Sequence, residues 1–131
     1  MTSEASRKTG ERTMRRDVEP LASRIPALTQ VTDPMWFSGT LGDPDAPGPS
    51  LYWIDAVVTL PPDVADALRE SLDLTPTVGR PGVVDDLVPA LPAGDLLAGP
   101  QLDEAFSAGG WRSTAFLEAS GDRLVLTVVG Q

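Results

Sequence analysis

Residues 51–72 read LYWIDAVVTL, then Pro61-Pro62, then DVADALRESL, and the rest of the chain is arranged around them. The first ten residues are the longest β-branched and aromatic run in the sequence; in the last ten, Val64, Leu68 and Leu72 recur at the i, i+4, i+8 spacing of one helix face. This predicts a strand turning directly into a helix. The two prolines mark the junction, because proline removes a ladder donor from a strand but is tolerated in the first helical turn, where N–H groups lack intrahelical partners. In that strand Tyr52, Ile54, Ala56, Val58 and Leu60 share an apolar face, while Leu51, Trp53, Asp55, Val57 and Thr59 share a mixed one. One side packed on a core and the other partly wet, or covered by a partner, is the signature of an antiparallel sheet.

Upstream, residues 35–41 (MWFSGTL) alternate like a second strand. Residues 42–50 (GDPDAPGPS), with three prolines and two glycines, form a loop, so a hairpin joins the two strands. Asp43 and Asp45 alternate like the start of a calcium loop but lack its glycine and bidentate glutamate, and read as turn residues. Downstream, residues 75–100 are rich in proline and glycine, with a short helix expected at 83–88 and Leu87, Val88, Leu91, Leu96 and Leu97 packing over the core. Gly79-Arg80-Pro81-Gly82 is a turn without the lysine or glycine spacing of a phosphate cradle. Residues 100–108 form a helix presenting Leu102 and Phe106, stopped by Gly109-Gly110. The chain closes in a second hairpin, 111–119 and 123–129, around Ser120-Gly121-Asp122. WFSGTL (36–41) and WRSTAF (111–116) echo each other faintly, Trp first and Ser two residues on.

The expected fold is α+β: a four-stranded antiparallel sheet from two hairpins, with two or three short helices packed on one face. Tyr52, Ile54 and Val58 would lie under Val64, Leu68, Leu72, Leu102 and Phe106. Residues 1–30, rich in Ser, Thr, Arg and Glu and interrupted by Pro20 and Pro26, read as a flexible basic arm, and residues 31–131 as a single domain.

The 131 residues include no cysteine and no histidine. That removes disulfides, thiolate chemistry, Ser-His-Asp catalysis and most transition-metal sites; no cofactor is implied. Lys8 is the only lysine, so a Schiff-base or P-loop lysine is not expected. The net charge of −9 divides unevenly: six basic against four acidic residues in 1–30 make +2, and four against fifteen in 31–131 make −11. So acidic a body repels nucleic acid and anionic lipid and complements a basic partner. No apolar span is long enough for a bilayer and residues 1–30 have no signal-peptide core, which points to a soluble cytoplasmic protein; the Ala, Gly, Pro, Val, Asp and Arg bias resembles GC-rich bacterial coding.

Only carboxylates, hydroxyls and arginines remain for chemistry. The pairs Asp85-Asp86 and Asp103-Glu104 would be needed for a carboxylate-based, divalent-metal-dependent hydrolase. Sequence neighbours, however, point to different sides of a helix, and acids at helix starts usually complement the dipole. Asp55 stands out, a charge in mid-strand beside Trp53. The preferred expectation is a small non-enzymatic domain that binds another protein, basic in charge, through the mixed sheet face around Trp53 and Asp55, as an inhibitor, immunity-type protein or assembly subunit would. The same face is a candidate for self-association.

Overall fold

The structure, a computed structural model, describes residues 8–10, 13–41, 51–77 and 81–130. In chain order its elements are β1 (Lys8–Gly10), α1 (Glu19–Arg24), a 3-10 turn (Pro26–Leu28), β2 (Thr32–Leu41) and β3 (Leu51–Thr59). There follow α2 (Pro62–Ser71), β4 (Thr75–Pro76), a second 3-10 turn (Asp85–Ala90), β5 (Leu96–Ala98), α3 (Pro100–Ala105), β6 (Arg112–Glu118) and β7 (Arg123–Gly130). The strands make one antiparallel sheet in the order β1-β2-β3-β7-β6-β5-β4.

Both expected hairpins are present, β2 on β3 with Phe37 opposite Asp55, and β6 on β7 with Thr114 opposite Thr127. They join through the central β3–β7 pair, where Ile54 faces Val128. The four-stranded sheet is nonetheless too small: six strands have three or more residues, and two-residue β4 adds an edge. The additional strands are short pieces of loop-like sequence, recruited because a neighbouring edge offers them hydrogen bonds rather than by their own propensity. In β2 the register shifts between Thr32 and Met35, with Asp33 at φ 46°, a left-handed conformation that aspartate tolerates better than most residues.

On the first sheet face Ile54, Ala56, Val58, Leu124, Leu126 and Val128 are buried under the helices. α2 starts at the expected prolines, but it turns Ala65 and Leu68 inward and leaves Val64 36% exposed. Tyr52, expected in this core, is 45% exposed because it lies beyond the helices' reach. The larger correction concerns residues 13–30, which are part of the fold. Leu21, Ile25 and Leu28, spaced for one helical stripe, are 0–1% exposed, and full burial of such side chains contributes roughly 1.5–3 kcal/mol each. The prolines do not prevent this: Pro20 occupies the first turn of α1, and the helix ends before Pro26 with Ile25 extended, as a residue preceding proline prefers.

The second face is not open either. Residues 81–91 lie across it, and Val83, Leu87 and Leu91 pack with Phe37, Trp53, Val57 and Val125. Val88, expected in that packing, stays 42% exposed. Among the described residues, three α-helices and two 3-10 turns, rather than two or three short helices on one face, thus cover both faces. α3 and the turn after it reach the outer edge of β6: Asp103 Oδ1 of the helix accepts from the Ala115 N–H at 2.8 Å, and Ser107 Oγ, two residues past its end, from the Ser113 N–H at 2.9 Å. Two edge donors are thus satisfied by side chains where β5 does not extend. Arg69 of α2 donates to the carbonyls of Glu118 and Gly121 and so ties the β6–β7 turn to the helix. Among the described residues no helix is long and apolar enough to cross a membrane.

Candidate functional site

Trp53 and Asp55 lie under residues 81–91, 2% and 0% exposed respectively. The recognition face expected around them is occupied by the chain's own cover. Asp55 Oδ2 accepts from the backbone N–H of Val84 at 2.8 Å, which latches the cover onto β3. Its role in this arrangement is internal.

The acidic pairs do not converge. Asp85 and Asp86 sit exposed at the first turn of the second 3-10 segment, Asp103 is engaged with β6, and Glu104 faces solvent. No three acids among the described residues come close enough to hold a metal ion. Asp43 and Asp45 lie outside the described residues.

The described surface does converge elsewhere, at the end of the first sheet face where the helices stop. One wall begins with a bridge between Arg15 and Trp36: the Arg15 N–H donates to the Trp36 carbonyl at 2.8 Å and the Trp36 N–H to the Arg15 carbonyl at 2.9 Å. Paired residues of an antiparallel bridge project to the same side, and the Arg15 guanidinium lies 4.3 Å from the Trp36 ring centroid. Asp17 holds it there, accepting from Nε at 3.2 Å and Nη2 at 2.6 Å. That hydrogen bonding keeps the Asp17 carboxyl below its ordinary 3.8. Trp36 is locked from beneath as its Nε1–H donates to the Asp17 carbonyl at 2.8 Å.

The opposite wall is Trp111. Its indole rests on Gly130, where a Cβ would stand only 2.5 Å from the ring. Glycine is needed here for close approach rather than for backbone freedom. Arg24 reaches over from the last turn of α1, 5.3 Å from the Trp111 centroid, steadied by an Nη1–H donation to the Pro20 carbonyl at 2.8 Å. Ser38, Thr40, Tyr52 and Ile54 line the floor of a cleft of about 290 Å³.

Trp36 itself is 1% exposed under Arg15, so the groups the cleft presents are Trp111, the 45% exposed Tyr52, two guanidiniums and a few hydroxyls, a set for recognition. Arginine does not release its proton, and with no histidine in the chain nothing here pairs a base with a nucleophile. Arg15 and Arg24 belong to the stretch 1–30, expected from the sequence to be a flexible basic arm. The signals that could have found the cleft are the apolar stripe Leu21, Ile25, Leu28, which docks that arm, and the WFSGTL/WRSTAF echo, whose leading tryptophans form the two walls.

Fold and site together define an antiparallel α+β domain with an arginine–tryptophan cleft. No protein-family model, no curated protein and no solved structure matches this chain.

Proposed function

We propose that this protein is a non-enzymatic domain that binds another protein, and that the cleft between Trp36 and Trp111 is its recognition site. The observation that carries this reading is the convergence of Trp111 and Tyr52 with Arg15 and Arg24 at a solvent-open position, Tyr52 being 45% exposed. Tryptophan, tyrosine and arginine are the side chains that most often dominate binding energy at protein interfaces. The acidic body, net −11 over residues 31–131, favours encounter with a partner that is basic around its contact. A chain without cysteine suits a reducing compartment, and cytoplasmic residence belongs to the same proposal.

Affinity capture from a lysate of the native host tests it, with the full chain, Trp111→Ala and Arg24→Glu as baits at low and moderate salt. The reading expects one stoichiometric, salt-sensitive partner that both variants lose. A partner held equally by all three baits would place recognition elsewhere.

A further inference from the structure

The charge and size of the cleft narrow what occupies it. Arg15 is held by both oxygens of Asp17, so that pair is close to neutral. Arg24 gives one N–H to the Pro20 carbonyl, and no carboxylate among the described residues pairs with it. Among the described residues the mouth therefore carries one positive charge without a carboxylate beside it, on a guanidinium whose remaining N–H groups suit a carboxylate. A phosphate, at about −1.5 to −2, would leave excess negative charge facing an acidic body. The volume of about 290 Å³ is near the small-ligand scale of roughly 300–1,000 Å³ and has room for one large side chain with its carboxylate.

A single side chain accompanied by a carboxylate is the chemistry of a polypeptide's last residue. We propose that the cleft captures the C-terminal residue of a basic polypeptide tail, its aromatic or large aliphatic side chain between Trp111, Tyr52 and the Arg15 that covers Trp36, and its terminal carboxylate on Arg24. The surroundings favour a tail over a free acid, because the net −11 of residues 31–131 attracts basic residues preceding the terminus. This inference rests on the recognition reading above and specifies the ligand for the same site.

The test titrates the full chain with a short N-acetylated peptide, lysines followed by a terminal Phe, read by calorimetry and tryptophan fluorescence. The same peptide with an amidated C-terminus, phenylacetate and phenyl phosphate are the comparison probes. The free-acid peptide is expected to bind at least about tenfold more tightly than the amide, a difference in affinity that a lost charged contact readily produces. Arg24→Gln should abolish that preference, Arg24→Lys should keep part of it, and Trp111→Leu should weaken both peptide forms. Thermal melts of the variants confirm that each is folded. Equal binding of acid and amide would overturn the proposal, as would the absence of binding. Phenylacetate matching the peptide would make the occupant a small free acid, and tighter phenyl phosphate would make it a phosphate; either result also overturns the proposal. If host-lysate capture yields a partner that Trp111→Ala loses while no probe binds, the C-terminal proposal alone fails. If neither partner nor probe binds, the recognition reading fails with it.

Discussion

Asp55 shows how one buried carboxyl can organise two layers. It belongs to the central strand, yet its hydrogen bond goes to the N–H of Val84 in the overlying segment, so strand and cover are joined at a point where apolar contact alone would leave that donor unsatisfied. Asp55→Ala is expected to cost about 2–3 kcal/mol in urea unfolding, the range for losing a hydrogen bond to a buried acid, with Asp55→Asn costing less because an acceptor remains. Faster amide exchange at Val84 would accompany the loss. At Gly130 the constraint is volume: Gly130→Ala must displace the Trp111 indole, at about 1–3 kcal/mol for overpacking, with a changed tryptophan emission as the local readout. Asp17 supplies the pH dependence. Its carboxyl is held low in the folded state by Arg15, so the pair stabilises the fold above the ordinary carboxyl value of 3.8 and loses its contribution as pH falls through the lowered value. The stability difference between the native chain and Asp17→Asn should therefore be constant near neutrality and close on acidification, as measured by unfolding at a series of pH values.

At the scale of elements, the long strands were legible because their side chains alternate over seven to ten residues and pair with strands within a residue of their own length. The three-residue and two-residue strands carry no such pattern and exist by recruitment to a neighbouring edge. α1 was hidden by its own punctuation, since prolines at 20 and 26 read as interruptions when they in fact bound a short helix. The second face of β3 was legible as mixed, but the identity of its cover was not, because Asp55–Val84 is a tertiary contact no local period records. The cleft was still less legible, for Arg24 and Trp111 meet only after both hairpins and α1 have docked. Helix α3 exposes a further consequence of placement. With Asp103→Ala and Ser107→Ala together, the N–H groups of Ala115 and Ser113 lose their side-chain acceptors and β6 becomes an open edge. Light scattering should then show concentration-dependent association absent from the native chain, as exposed edges promote pairing between molecules.

For the whole molecule, residues 13–30 decide between two pictures. As an arm they would be dispensable; as the structure has them, they bury Leu21, Ile25 and Leu28 and bring Arg15 and Arg24 to a cleft that no other segment supplies. The charge asymmetry of the sequence then acquires a physical meaning, because two of the arginines of the basic N-terminal stretch, Arg15 and Arg24, line one cleft on an acidic body. The most direct measurement follows hydrogen exchange of the three tryptophan indole N–H groups by nuclear magnetic resonance. The Trp36 Nε1–H, donated to the Asp17 carbonyl, is predicted to exchange far more slowly than a free indole, and the signals of Trp36 and Trp111 to shift together when a partner binds. Exchange of Trp36 at the rate of a free indole would contradict the docking of residues 13–30, and with it the cleft.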